Sequence, residues 1–277
     1  MSTTLGRIRF LDGGYCIQLE YLTGIRSWRR RRIHAVFIAF EHPLHGTTLI
    51  DTGYGPALHR EANVWPWRMA NWLIPVPKRQ AFMYPEHLQR LDLNPNQVQQ
   101  VFLSHFHADH IGGARFYNQA QFIVREHSWR SLQQLSSWQQ LHHGFLPALL
   151  PNDFASRRTS IQEESFEVNR DRLPGFSTLD YWGDGSIILI DLPGHALGHT
   201  GYLLNTESGP LLYVVDAFWD RRAFELAGQL PWVSRQVQHN YPDYQATQAA
   251  LHALIETTAL EPLACHCPAT QQKLWHG

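Results

Sequence analysis

The chain has 277 residues, 44% of them hydrophobic and 17% charged, enough for one large domain around a sizeable core. With 23 Lys and Arg against 24 Asp and Glu, the net charge of -1 excludes a general electrostatic affinity for nucleic acid or acidic membranes. Three cysteines cannot form a disulfide framework, no apolar run reaches membrane-spanning length and the N-terminus lacks a signal-like apolar stretch, so a cytoplasmic protein is expected.

Residues 7–22, RIRFLDGGYCIQLEYL, read as strand with a turn at Gly13 and Gly14, followed by a basic turn, RSWRRRR. IHAVFIAFEH and GTTLIDTGYG then read as two strands joined by a turn rich in His and Pro. Residues 57–80, rich in Trp and Pro, read as a short helix and an irregular loop. The first half of PEHLQRLDLNPNQVQQVFLSH has helical spacing that ends before Pro95, and Val101 to Leu103 form a short buried strand. A strand follows at Gln121–Arg125, then a Gln-rich helix from Ser128 to about Gln140 and an irregular stretch, GFLPALLPNDF. After Asp171 strands return in FSTLDYWGDG, SIILIDLPGH and GYLLNTESGPLLYVVDAFW. Residues 243–259 read as helix, and PLACHCPAT as a last strand end. Strands and helices alternate in both halves around a helical insertion at about 128–175, which predicts a single α/β domain, 1–277, of layered sheets with helices outside.

The chemistry concentrates at strand ends. His105, His107, Asp109 and His110 fall within six residues directly after the apolar run, in a chain with 17 His. Residues two apart at a strand end point the same way, so His105 and His107 can reach one ion. Asp109 and His110 lie past the turn and can reach a second. Carboxylate oxygen with imidazole nitrogen suits zinc, iron or manganese. LPGHALGHTGY presents His195, LLYVVDAFWD ends on Asp216, and PLACHCP ends on His266. Each candidate sits where a strand runs into a loop, the usual place for sites in layered α/β folds. Cys265 and Cys267 read as inert buried thiols.

SHFHADHIGG resembles the H-x-H-x-D-H signature of the metallo-β-lactamase superfamily, and LIDTGYG, PGHALGHTGY, VVDAFW and CHC follow in that superfamily's order. The resemblance implies an αββα four-layer sandwich with two divalent metal ions, zinc or else iron or manganese, at one edge. It implies His105, His107 and His195 on the first metal, Asp109, His110 and His266 on the second, and Asp216 bridging both. Asp51 is similar to a buried aspartate that steadies the ligand loops, and His199 to a structural hydrogen-bonder. The full ligand set resembles glyoxalase II and the N-acyl-homoserine lactonases, whose quorum-quenching members EHP…GTTLIDTGYG is most similar to. Those lactonases carry a tyrosine three residues past the bridging aspartate; Trp219 stands there here.

The expectation is a hydrolase in which a hydroxide bridging two metals cleaves an ester-like bond, a lactone or a thioester, of a partly apolar small molecule, with Asp109 orienting the nucleophile and moving a proton. A phosphodiesterase or iron-dependent oxygenase on the same scaffold, or a non-catalytic metal-binding protein, are the alternatives. Oligomeric state is not legible. Arg29 to Arg32 read as a solvated turn or a clamp for an anionic group, and residues 63–72, NVWPWRMANW, as core or as a lid.

Overall fold

A computed structural model describes residues 2–169 and 171–274. Two sheets carry the chain. The first runs in the order β1 (Gly6–Leu19), β2 (Arg30–His42), β3 (Gly46–Ile50), β4 (Val98–Phe102), β5 (Gln121–Arg125) and β6 (Arg158–Ile161). The second contains β7 (Glu167–Asn169), β8 (Phe176–Asp180), β9 (Ile187–Asp191), β10 (Thr200–Thr206), β11 (Gly209–Val215) and β12 (Pro262–Ala264), with β12 on one edge and β7 on the other. β1, β2 and β3 pair antiparallel and β3 to β6 parallel; in the second sheet only β11 and β12 are parallel. Helices flank both sheets, giving the expected αββα sandwich.

The apolar runs follow from double burial. In β9, Ile187 and Leu189 face the core between the sheets, whereas Ile188 and Ile190 face an outer cluster. β10 and β11 divide the same way, Tyr202, Leu204, Tyr213 and Val215 inward and Leu203, Leu212 and Val214 outward. A strand buried on both faces has no polar side to show, so its sequence is continuously apolar. The outer cluster is completed by Leu251 and Leu254 of helix Tyr241–Thr257, whose Asn240 cap accepts from the Asp243 N–H. Each such buried leucine contributes about 1.5–3 kcal/mol. Across the central core the Tyr213 hydroxyl donates to the Val36 carbonyl at 2.6 Å, tying β11 to β2.

Several expectations need correction. β1 is one strand: Gly13 and Gly14 make a bulge rather than a turn. Gly13 lies against the loop after β3, where a Cβ would come within 2.4 Å of the Gly53 Cα, so only glycine admits this approach. The arginine run is not a turn, because β2 begins at Arg30 and pairs Arg30–Arg32 with Leu19, Gln18 and Ile17. The helix expected from Ser128 to Gln140 is two, Glu126–Gln133 and Ser137–His142, the second started by a Ser136 capping box. The middle insertion also holds strands: β6 and β7 form one edge of each sheet. In residues 63–72, Trp65 and Trp72 are exposed, which excludes a core role for them.

Candidate metal centre

The C-terminal ends of β3, β4, β9, β11 and β12 deliver Asp51, His105, His195, Asp216 and His266 respectively. Two antiparallel steps restore direction, so β9 and β11 run the same way, as do the parallel pairs β3 with β4 and β11 with β12. His107 precedes, and Asp109 and His110 lie within, a one-turn helix, Ala108–Ile111, that follows β4. Helix Tyr241–Thr257 props the loops from behind: Thr247 Oγ1 donates to the Pro193 carbonyl and Gln248 Nε2 to the Ala217 carbonyl. Two backbone outliers sit at the strand ends. Asp51 has φ of 65° and Val215 has φ of 52°, a conformation a β-branched residue rarely adopts.

Two groups of ligand atoms result. His105, His107, His195 and Asp216 place such atoms within 4.8 Å of one another, and so do His110, Asp216, Cys265 and His266. Asp216 belongs to both: its Oδ2 is 3.2 Å from His195 Nε2, 3.3 Å from His266 Nε2 and 3.5 Å from His110 Nε2. Asp109 Oδ2 lies 3.2 Å from His266 Nε2 and 3.7 Å from His110 Nε2, on the more open side. His107 turns its Nδ1 to His195 Nε2 at 3.1 Å. His105 Nε2, His110 Nε2 and Asp216 Oδ1 are buried without a hydrogen-bond partner. Leaving such atoms orphaned is costly, and a divalent cation in each group would satisfy all three, so the residues fit a metal pair.

Outer partners fix which nitrogen is available. His195 Nδ1 meets Gln238 Oε1 at 2.9 Å, and His266 Nδ1 meets the His34 carbonyl at 2.7 Å. Each is therefore the donor nitrogen, so that Nε2 is the atom turned toward the metal position. Asp51 serves both groups. Its carboxylate accepts from the Ser104 N–H at 2.8 Å, from Ser104 Oγ at 2.7 Å and from His110 Nδ1 at 2.8 Å. Ser104 Oγ, having given its proton to Asp51, accepts from His105 Nδ1 at 2.9 Å. His199 stays outside the groups: its Nδ1 donates to the Leu192 carbonyl and its Nε2 accepts from the Asp216 N–H.

Electrostatics divides the histidines. Burial, reinforced by neighbouring histidines, holds His105 and His107 well below the ordinary value, so both are neutral. His199 is pushed down to about 3, first by burial and then by His195. Burial opposes charge on His110 and His266 too, but Asp109, Asp51 and Asp216 outweigh it at His110, and Asp216 chiefly at His266, raising both well above the usual range. Burial would raise Asp109 and Asp216, yet His110 and His266 draw both carboxylates below theirs. Such a site binds protons where it could bind cations.

Around the centre, Trp219 is partly buried and stands edge-on to His195, ring centroids 5.9 Å apart. A pocket opens beside His107 and His195, lined by apolar Phe106, Leu132 and Val237 and by polar His143 and His239. Arg31 joins Asp220 at 2.6 Å and so ties β2 to the loop carrying Trp219, while Arg29, Arg30 and Arg32 are exposed. Trp67, from the Trp-rich segment, donates to the Phe145 carbonyl at 3.0 Å. Sequence reasoning missed Ser104 and Gln238, and it set Cys265 aside. Ser104 was visible inside the signature itself; Gln238 carried no local signal.

A family model described as the metallo-beta-lactamase superfamily matches residues 28–240. The N-acyl homoserine lactonase AiiB of Rhizobium rhizogenes is 24% identical over 223 residues, 80% of this chain and 75% of that protein. The metallo-hydrolase mfmC of Annulohypoxylon moriforme is 31% identical over 137 residues, 48% of this chain but only 33% of that protein's length. Among solved structures, a quorum-quenching N-acyl homoserine lactone lactonase superimposes with a TM-score of 0.69 at 16% identity, covering 99% of this chain and 98% of that one. AidC, a dizinc quorum-quenching lactonase, gives 0.67 at 14% identity, covering 97% and 90%. At such identity the two structures speak for the fold alone.

Proposed function

The chain belongs to the metallo-β-lactamase superfamily, and on that premise we propose that it is a dinuclear metal-dependent hydrolase of an ester-like bond, a lactone or a thioester, in a small molecule. One observation carries this reading: Asp216 is shared by two groups of ligand atoms, each large enough for an ion. Seven ligands are more than one tetrahedral site can use.

His105 through Nε2, His107 through Nδ1 and His195 through Nε2 would hold the first ion. His110 and His266 through Nε2, with Asp109, would hold the second, and Asp216 both. Zinc is the metal we favour, since imidazole and carboxylate suit it, with iron and manganese as competitors. When bound, the pair supplies a water acidified toward neutrality and a Lewis acid for the substrate oxygen.

The chain's own residues do the rest. Asp109 has one face toward solvent, and its Oδ2 can accept the proton of the attacking water and return it to the leaving oxygen or sulfur. His195, fixed by Gln238, and His105, fixed by Ser104, cannot rotate as charge develops, so the site needs little reorganisation. Trp219 offers an indole N–H and an apolar wall where the lactonases have a phenol. With Phe106, Leu132 and Val237 beside the site, this supports a substrate with an apolar part. Among the described residues no helix is long and apolar enough to cross a membrane. Three free, buried cysteines support a reducing, cytoplasmic setting.

The test is a hydrolysis screen of metal-loaded protein on lactones, thioesters, phosphodiesters and β-lactams. Turnover of lactones or thioesters is expected; preferential cleavage of a bis-aryl phosphate would replace this reading with the phosphodiesterase. The Trp219→Tyr variant refines it. A positioned oxyanion donor is worth about 100- to 1000-fold, so wild type should be slow on short acyl-homoserine lactones and the variant faster. A wild type already fast, and unimproved by tyrosine, would show that this position does not limit turnover.

A further inference from the structure

Cys265 lies directly beneath the second group. β12 alternates, with Leu263 facing the core between the sheets and Ala264 facing the outer cluster, so Cys265 returns to the inner side. Its backbone N–H donates to the Val215 carbonyl at 2.7 Å, which joins it to the residue before Asp216. Cys265 is 1% exposed, and its sulfur lies within 4.8 Å of ligand atoms of His110, Asp216 and His266. Of its polar neighbours, His266 Nδ1 at 3.8 Å already gives its proton to the His34 carbonyl at 2.7 Å, and the Tyr213 hydroxyl gives its own to the Val36 carbonyl at 2.6 Å. Neither neighbour therefore makes a strong claim on the thiol, which belongs to the same group of ligand atoms as His110, His266 and Asp216.

We infer that the Cys265 sulfur is a ligand of the second metal position, holding that ion from the core side while Asp109 faces it from solvent. The inference rests on the dinuclear reading above. Four atoms no more than 4.8 Å apart close around a tetrahedral ion, with zinc–sulfur near 2.3 Å and zinc–nitrogen near 2.0–2.1 Å, by movements of about an ångström or less. On binding, the sulfur exchanges its proton for the metal and the proton leaves to solvent. Two consequences follow. A thiolate biases this position toward zinc, cobalt or cadmium and against manganese and magnesium. It also relieves Asp109 of full-time coordination, leaving its carboxylate to move protons.

Cobalt(II) gives a readout that does not depend on turnover. Metal-free protein is titrated with cobalt(II) while its near-ultraviolet absorption is followed. A sulfur-to-cobalt charge-transfer band should grow with binding at the second position, be lost in Cys265→Ser, and persist in Cys16→Ser and Cys267→Ser. Wild type that binds two cobalt ions with no such band overturns the inference and leaves the dinuclear reading standing; Cys265 is then a packing thiol beside the Tyr213 hydroxyl. Wild type that binds only one ion, without the band, overturns both. Because a wild type without the band is enough to overturn the inference, and persistence of the band in Cys16→Ser and Cys267→Ser assigns it by elimination, a Cys265→Ser variant that failed to fold would not protect the idea.

Discussion

Asp51→Asn is the sharpest perturbation of this centre. The residue holds φ of 65° and is 1% exposed. Asn tolerates that left-handed backbone as well as Asp does, so the substitution changes the carboxylate and little else. In the wild type, Oδ2 accepts from both Ser104 Oγ and His110 Nδ1. The Asn amide keeps an oxygen for the Ser104 N–H but turns a donor toward the other two. Hydrogen bonds to a charged partner contribute about 1.5–3 kcal/mol each, so two are at stake. If the amide donates to Ser104 Oγ, the hydroxyl turns toward His105 Nδ1, and the ring proton moves to Nε2, the atom meant for the metal. His110 loses the anchor that holds its own Nδ1–H. One substitution thus misdirects a lone pair at each ion, and outer partners of this kind are worth about 10- to 100-fold in affinity. Chelator competition, monitored as each equivalent binds, should show both constants falling by that factor, with a lower melting temperature for the metal-free variant. Wild-type affinity at both positions would refute the tautomer argument. Weakening at the second position alone would show that the path through Ser104 to His105 does not depend on Asp51.

Asp216→Ala should abolish turnover and reduce both metals together in elemental analysis, because two cations lose the carboxylate between them. His199→Ala should keep two metals and lose about 1–3 kcal/mol of stability from the orphaned Asp216 N–H; equal metal loss in the two variants would contradict their separate roles. Metal affinity should rise with pH, because protons on His110 and His266 must leave before an ion can bind and both groups titrate above the ordinary 6.5. In the metal-free protein those raised histidines give stability that is complete below 6.5 and is lost as pH climbs through their raised values, so the gap between loaded and metal-free melting temperatures should widen upward from there. A gap that narrowed with rising pH would reverse the sign. Gly144→Ala should expel the first metal, since its φ is +62° and a Cβ would stand 2.7 Å from His107 Cδ2. Gly175→Ala, with φ of +88° and nothing within 4 Å, isolates the backbone strain of about 1–2 kcal/mol and should retain both ions.

The sequence by itself determined the layered fold and marked the candidate ligands, because both are read from short-range properties. Apolar runs of four and five residues, Ile187 to Ile190 in β9 and Leu211 to Val215 in β11, are long enough to announce buried strands. A strand ending in His or Asp announces its chemistry without reference to any partner, and the spacing from His105 to His110 is itself the signature. What only the tertiary structure decided are relations between distant residues. Gly13 and Gly14 look like a turn in isolation, and become a bulge because the loop at Gly53 presses on the strand. The arginine run looks solvated, yet Arg31 is claimed by Asp220, 189 positions away. The availability of Nε2 on His266 is set by the His34 carbonyl, 232 positions away, and the nearness of the Cys265 sulfur by the parity of a three-residue strand. Side-chain type fixes which atoms can bind a metal. Which of them points inward with a free lone pair depends on the hydrogen-bond partner behind it, and that partner arrives only when the sheets close.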